Sequence, residues 1–172
     1  ARVGRFLPAS RGDFLPLESA RADGPRRVGR AQSVHEFRHR TEQTVMNLFI
    51  VEDSLLVRER LLRALEGLPG LDIVGTAEDV PAAIDGLTSS PPDALILDLQ
   101  LPSGSGLQVL RAVRDRLPRM RVIVMTNFAA EPYRKAALAA GAEIFLDKSA
   151  EFGRVRDILS GWRDEASPPA IH

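Results

Sequence analysis

Four short, uninterrupted apolar runs in this chain each end in polar residues, and this feature constrains the fold more than any other. The runs and the residues that follow them are 47–51 before Glu52-Asp53, 94–97 before Asp98, 122–125 before Thr126, and 144–146 before Asp147-Lys148. Runs of this length, rich in Val and Ile, are typical of strands buried on both faces of a parallel sheet. The carboxyl ends of such strands share one sheet edge, where ligands bind. We therefore expect the polar residues to converge on one site.

Helical patterns alternate with these runs. The predicted helices are 54–66, with Val57, Leu61, Leu62 and Leu65 on one face, then 80–88, 107–113, 132–140 and 151–162, and a weaker strand is predicted at 71–75. Strand-helix alternation at this spacing predicts an α/β fold, a doubly wound sheet of five parallel strands with helices on both faces.

The composition excludes several classes of protein. The chain has no Cys, which rules out disulfides and thiolate metal sites and suits a reducing cytoplasm. Its formal net charge is zero, so no global field attracts nucleic acid or an anionic membrane. No apolar stretch approaches the roughly 20 residues of a membrane span, and the N-terminus has no signal-peptide pattern. We predict a cytoplasmic protein with no direct nucleic-acid or membrane contact.

The first 45 residues differ in character from the rest. They hold nine Arg against five acidic residues and show little periodicity, a composition that does not offset the entropy cost of folding. His35 and His39 have the spacing of metal ligands, but no third ligand accompanies them. We interpret 1–45 as a disordered or non-native N-terminal extension, 46–163 as the functional domain, and 164–172 as a short C-terminal tail.

The residues at the strand ends suit phosphoryl transfer. Crowded carboxylates repel one another, so a proton or a cation must lie among them, and carboxylates with water are ligands that Mg²⁺ prefers. A carboxylate in such a site can attack phosphorus and form an aspartyl phosphate. A Lys ammonium and a hydroxyl, here Lys148 and Thr126, can then neutralise the phosphoryl oxygens.

Residues 46–163 resemble a receiver domain of the two-component response-regulator family, related to the chemotaxis response regulator. The matching segments are FIVEDS, LILDLQLPSGSG, VIVMT and GAEIFLDKS. The resemblance implies a flavodoxin-like sheet with strand order 2-1-3-4-5. It also implies a phosphoprotein that works in phosphorelay signal transduction, with self-phosphorylation and autodephosphorylation as its only chemistry, and not an enzyme with turnover.

The resemblance also implies a role for each site residue. Asp98 is the phosphoacceptor, and Thr126 and Lys148 contact the phosphoryl group. The implied ligands of Mg²⁺, the only cofactor expected, are Glu52, Asp53, Asp98 and the backbone carbonyl of Gln100. The implied switch residues are Thr126 and Phe145, and Pro102 and Gly106 match the turn after the phosphoacceptor. The chain departs from the family pattern where Ser149, in place of Pro, follows the Lys, and Gln100 and Phe128 occupy positions that tune dephosphorylation.

The expected partners are a sensor histidine kinase or a histidine phosphotransfer protein, and a downstream protein that contacts the 131–162 face. A phosphorylation-dependent homodimer is the other expected assembly. Only nine residues, 164–172, follow the predicted domain, which predicts a stand-alone receiver. The alternative is the receiver of a DNA-binding transcriptional regulator whose output domain lies outside this chain. A remote alternative is a Mg²⁺-dependent phosphatase of the haloacid dehalogenase type. That class has a second Asp two residues after the nucleophile, whereas this chain has Gln100 there.

Overall fold

Residues 45–166, the part of the chain that this computed structural model describes, form seven strands and five helices. In chain order they are β1 (Met46–Val51), α1 (Leu55–Leu65), β2 (Leu71–Ala77), α2 (Val80–Ser89), β3 (Ala94–Leu97), β4 (Gln100–Leu101), β5 (Gly104–Ser105), α3 (Gly106–Val113), β6 (Arg121–Thr126), α4 (Glu131–Ala139), β7 (Ile144–Asp147) and α5 (Arg154–Ala166).

Five of the strands form one parallel sheet in the order β2-β1-β3-β6-β7. Counting only these strands, the order is 2-1-3-4-5, which confirms the flavodoxin-like α/β prediction. Val51 pairs with Leu97 and Leu97 with Val124, and β6 and β7 continue two residues further to the pair Thr126 and Asp147. The carboxyl ends of β1, β3, β6 and β7 therefore lie within two residues of one another. The register therefore brings the residues that follow these strands to one edge.

Two apolar clusters hold the helices on the two faces of the sheet. One face buries residues such as Phe49, Leu97 and Val124 against α2, α3 and α4, and the other buries Ile50 and Met125 against α1 and α5. Alternate residues of each central strand point to opposite faces, so both faces need apolar side chains. This explains why the strand sequences read as uninterrupted apolar runs.

Several helix ends are fixed by local hydrogen bonds. The Ser54 side chain accepts from the amide of Val57 at the start of α1, and Asp79 accepts from the amide of Ala82 at the start of α2. Ser105 begins α3 with a capping box that uses the Gln108 side chain. These caps satisfy amide groups that have no partner within the helix.

The structure corrects the predictions for two segments and for one side chain. Helix α5 begins at Arg154 rather than 151 and continues to Ala166, so the first residues of the predicted tail are helical. The predicted loop after β3 contains an antiparallel hairpin of β4 and β5. Leu62, predicted to lie on the buried face of α1, is 37% exposed.

The predictions for 1–44, including His35 and His39, and for 167–172 lie outside the described residues. Within 45–166, no helix is both long enough and apolar enough to cross a membrane.

Candidate functional site

Four strand ends bring the predicted site residues together. Glu52 and Asp53 follow β1, Asp98 follows β3, Thr126 ends β6, and Lys148 follows β7. The turn after β1 is tied to its neighbours because the Glu52 amide donates to Ala77 O (2.9 Å) and the Asp98 amide to Val51 O (2.9 Å). The parallel sheet therefore converts separated sequence positions into one cluster.

Lys148 lies at the centre of this cluster. Its ammonium nitrogen is 2.6 Å from Glu52 Oε2 and 2.7 Å from Asp98 Oδ2, and all three side chains are buried. Its backbone amide also donates to Thr126 O at 3.0 Å, which holds the residue against β6. An ammonium ion between two buried carboxylates offsets the repulsion that would otherwise separate them.

Glu52 is the most deeply buried acidic group of the site, with only 2% of the residue exposed. Burial raises the pKa of its carboxyl above the ordinary value, and this effect outweighs the ammonium of Lys148, which acts in the opposite direction. Its Oε1 accepts from the amide of Ser54 at 3.3 Å. Both oxygens of Glu52 therefore have protein partners.

Asp53 completes an acidic group that suits a divalent cation. Glu52, Asp53 and Asp98 each offer a carboxylate oxygen, and these oxygens lie within 4.8 Å of one another. Two oxygens bound to one Mg²⁺ at about 2.1 Å lie at most about 4.2 Å apart, so small side-chain movements would allow shared coordination. Asp53 is exposed, which leaves room for the waters that Mg²⁺ usually retains. The residues present fit this ion.

The segment after Asp98 turns sharply back on itself. The amide of Gln100 donates to Asp98 Oδ1 (3.1 Å), and the amide of Gly106 donates to Leu99 O (3.0 Å). A Cβ atom at Gly106 would lie 2.2 Å from the carbonyl oxygen of Asp98, a distance that no side chain tolerates. Glycine is therefore required at 106 to keep the predicted phosphoacceptor in place. Gln100, whose carbonyl is a predicted metal ligand, is exposed in β4.

Thr126 is fully buried at the end of β6. Its hydroxyl oxygen accepts from the amide of Phe128 at 3.2 Å. The Phe128 ring makes an edge-to-face contact with Tyr133 on α4, with 6.0 Å between centroids. Thr126 is thus linked to the first turn of α4 through one hydrogen bond and one ring contact.

Phe145, the predicted switch aromatic, is buried in β7 with 4% exposed. The Arg134 guanidinium lies over its ring, 4.7 Å from the centroid, and donates to Phe145 O at 3.3 Å. Cations over an aromatic face are attracted to its electron density. This contact ties α4 to β7 beside the site.

Ser149 occupies the position after the Lys where the resembled family has Pro. Its amide donates to Asp147 Oδ1 at 2.7 Å, and its hydroxyl contacts the same oxygen. The Glu151 carboxylate accepts from the Asp147 amide at 3.1 Å, and these bonds shape the loop before α5. The bonds from Ser149, first that of its hydroxyl, also lower the pKa of the Asp147 carboxyl. Pro has no amide hydrogen and would lose one of these bonds.

Arg58 is a residue at the site that the sequence analysis missed. Its Nη1 donates to Glu52 O at 2.8 Å, and its Nη2 lies 2.6 Å from Glu78 Oε1. One signal was available in the sequence. Arg58 is the fourth residue of α1, near the helix N-terminus, where a positive charge opposes the helix dipole.

Comparisons with known proteins place the chain in a family. The family described as "Response regulator receiver domain" matches residues 48–160. A DNA-binding transcriptional activator, DevR/DosR of Mycobacterium tuberculosis, is 31% identical over 121 residues, which cover 68% of this chain and 56% of that protein. The photosynthetic apparatus regulatory protein RegA of Rhodobacter capsulatus is 32% identical over 123 residues, covering 72% of this chain and 65% of that protein. The chain therefore spans a little over half the length of these relatives.

Solved structures agree with this assignment. The signal receiver domain of the response regulator NarL from Mycobacterium tuberculosis has a TM-score of 0.63 and 29% identity, covering 70% of this chain and 97% of that chain. The response regulator domain of CheB from Thermotoga maritima has a TM-score of 0.61 and 25% identity, covering 72% and 96%. The match favours a receiver over a phosphatase of the haloacid dehalogenase type. The chain thus belongs to the response regulator receiver domain family.

Proposed function

We propose that the domain receives a phosphoryl group on Asp98 in a Mg²⁺-dependent reaction and signals through a conformational change. The observation that carries this proposal is the position of Lys148, within 2.7 Å of both Glu52 and Asp98 in a buried site that is open at Asp53. This arrangement combines an anionic nucleophile with a fixed cation beside it. Preorganised charge of this kind accounts for most of the catalysis in phosphoryl transfer.

In the proposed reaction, an oxygen of Asp98 forms a bond to phosphorus while the bond from phosphorus to the donor breaks. The donor leaves with the electron pair of that bond, and the product is an aspartyl phosphate. Lys148, already paired with Asp98, would follow the new negative charge onto the phosphoryl oxygens. Glu52, Asp53, Asp98 and the carbonyl of Gln100 would hold Mg²⁺, which supplies further positive charge for the transferred group.

We infer that Thr126 starts the conformational change. Its hydroxyl now accepts from the Phe128 amide, and a phosphoryl group on Asp98 would compete for that hydroxyl as a hydrogen-bond donor. A turn of the side chain would release Phe128, whose ring contacts Tyr133 on α4. A movement of α4 would then change the contact between Arg134 and Phe145, because this contact joins α4 to β7. A switch needs an element with two arrangements, and α4 suits this role because Ala137 is its only buried residue.

Two exposed surfaces support the proposed partners. Leu55 and Leu56, in the first turn of α1, are 58% and 76% exposed close to the acidic pair, where a histidine kinase or histidine phosphotransfer protein would have to approach Asp98. Tyr133 and Leu138 are exposed on α4, within the predicted 131–162 face for a downstream protein or a second copy of this chain. Arg156 and Arg163 on α5 bind the backbone carbonyls of Ala64, Glu66 and Pro69 near α1, so these guanidinium groups already have partners within the chain.

A second candidate for the output is DNA binding through a separate domain. DevR/DosR is named a DNA-binding transcriptional activator, and this chain matches 56% of its length. The complete reading frame of the gene distinguishes this candidate from a stand-alone receiver. In either case we place the protein in the cytoplasm, where a phosphorelay operates.

The reaction itself is tested by incubating the full chain with acetyl phosphate, with Mg²⁺ in one sample and excess EDTA in another. After removal of the donor, which is itself an acyl phosphate, phosphorus NMR of the protein should show an acyl phosphate signal for the sample with Mg²⁺ and none for the sample with EDTA. Equal signals in the two samples would contradict the metal dependence. No signal in either would contradict the function.

A further inference from the structure

Arg58 has an environment that its place in the sequence does not explain. A cation near a helix N-terminus is unfavourable and normally extends into solvent, yet only 12% of this side chain is exposed. Its guanidinium binds the carbonyl of Glu52 and the carboxylate of Glu78 with two different nitrogens. Such a two-pronged contact fixes the guanidinium plane, and a Lys side chain does not reproduce it.

The carbonyl that Arg58 binds belongs to the peptide between Glu52 and Asp53. The nitrogen side of Glu52 is fixed as well, because its amide donates to Ala77 O of the neighbouring strand β2. A planar peptide held at its oxygen restricts the directions in which the two acidic side chains leave the backbone. Glu78, which anchors Arg58, directly follows β2. The acidic turn is therefore held by β2 on one side and by α1 on the other.

We propose that Arg58 is a positioning residue of the metal site, which orients Glu52 and Asp53 for a divalent cation by holding the peptide between them. This inference rests on the proposed function, because it assigns Arg58 a role toward the proposed Mg²⁺. Groups that orient metal ligands typically contribute about 10- to 100-fold to metal affinity.

A role in positioning and an effect of charge alone predict opposite results. Arg58 carries a positive charge, so its removal would strengthen the binding of another cation if charge were its only influence. Removal of a positioning group weakens binding because the ligands must then be ordered when the ion arrives. The sign of the change in Mg²⁺ affinity therefore separates the two explanations.

The test is a Mg²⁺ titration of the full chain, followed by amide NMR shifts of residues 52–54 and 98–100, with urea unfolding to confirm that each variant is folded. We expect Arg58→Met to raise the Kd for Mg²⁺ about tenfold. Arg58→Lys retains the charge but not the paired contacts, and should also raise it. Arg63→Met is the matched control. Arg63 lies on the same helix in an exposed pair with Glu59, and its replacement should leave the Kd unchanged.

Glu78→Asp serves if the Arg58 variants fail to fold, since it keeps Arg58 and both charges and shortens only the anchoring side chain by one methylene group. It should raise the Kd in the same direction by a smaller factor. Unchanged or tighter Mg²⁺ binding by folded Arg58→Met, or by Glu78→Asp where the former does not fold, would overturn the positioning role and leave the proposed function intact. A wild-type chain that shows no saturable Mg²⁺ binding would overturn both.

Discussion

Lys148 and Asp98, fifty residues apart in sequence, form a buried ion pair with 2.7 Å between Nζ and Oδ2. Glu52 shares the same ammonium at 2.6 Å, so one cation serves two carboxylates. Removing one partner of a buried pair usually costs about 3–5 kcal/mol, because the remaining charge is left without compensation. Because one ammonium faces two carboxylates, the site has an excess of negative charge that a divalent cation would neutralise. This excess makes the stability of the domain depend on pH.

The pH dependence of stability should report on Glu52. Its pKa is raised by burial above the ordinary value of 4.5, so the folded protein retains a proton that the unfolded chain has already lost. Its contribution to stability is complete below about pH 4.5 and is lost as the pH rises through the folded-state pKa. The free energy of unfolding of the wild type, relative to Glu52→Gln, should therefore decrease with rising pH over this range.

This comparison requires urea unfolding of both proteins in EDTA at several pH values. Hydrogen bonds lower the pKa of two other carboxyls: Glu143, first through Arg121, and Glu151, first through the Asp147 amide. These two groups make the free energy of unfolding rise with pH, and they do so at lower pH than Glu52. They are common to both proteins and cancel in the difference. Glu59→Gln, on the exposed side of α1, is the control. A difference that does not vary with pH would contradict the raised pKa.

Gly106→Ala should damage the site selectively. The new Cβ would lie 2.2 Å from Asp98 O, so the backbone of the phosphoacceptor loop must move. Overpacking of this kind costs about 1–3 kcal/mol, and phosphorylation should slow as well. Gly161→Ala is the matched control, because its Cβ meets no atom within 4 Å in α5, and it should stabilise the domain by about 0.5–1 kcal/mol. Normal phosphorylation of Gly106→Ala would show that the loop is not constrained as described.

Arg156 should matter for stability and not for phosphorylation. It crosses from α5 to the end of α1, where Nη1 donates to Ala64 O (2.7 Å) and Glu66 O (3.1 Å). Arg156→Met leaves these carbonyls without that donor, and we expect a loss of about 1–2 kcal/mol in urea unfolding. Arg154→Met removes only an exposed pair with Glu151 and should cost less than about 0.5 kcal/mol. Equal losses for the two variants would contradict the capping role.

The switch should be visible with beryllofluoride, a mimic of the phosphoryl group, added with Mg²⁺. If the Thr126 hydroxyl turns toward the mimic, the Phe128 amide loses its acceptor, and its NMR shift should be among the largest. Further shifts should extend through Tyr133 and across 131–162. Thr126→Val, which has no hydroxyl, should abolish the shifts in 131–162. Shifts confined to the metal site in the wild type would show that the domain does not transmit the signal.

The sheet and the composition of the site could be predicted because both depend on short, strong patterns. Strand β3 lies where the run of residues 94–97 predicts it, since each of its residues is buried and none interrupts the pattern. The convergence of Asp98 and Lys148 followed from the parallel arrangement alone.

Other features depend on single hydrogen bonds or on very short strands, and the sequence shows no pattern for them. The guanidinium groups of Arg58 and Arg156 bind backbone carbonyls, and a carbonyl is present at every residue. The strands β4 and β5 have two residues each, too few for any periodicity. The late start of α5 reflects the hydrogen bonds of Asp147 with Ser149 and Glu151, which shape the preceding loop.

The most direct test of the account is the intact mass of the full chain after incubation with acetyl phosphate and Mg²⁺. We compare the wild type with Asp98→Asn and with Asp93→Asn. Asp93 precedes the same strand at the opposite edge of the sheet, where it accepts from the Asn47 amide. The wild type and Asp93→Asn should each gain one phosphoryl group, and Asp98→Asn should gain none. Equal labelling of Asp98→Asn and the wild type would contradict the assignment of Asp98 as the phosphoacceptor.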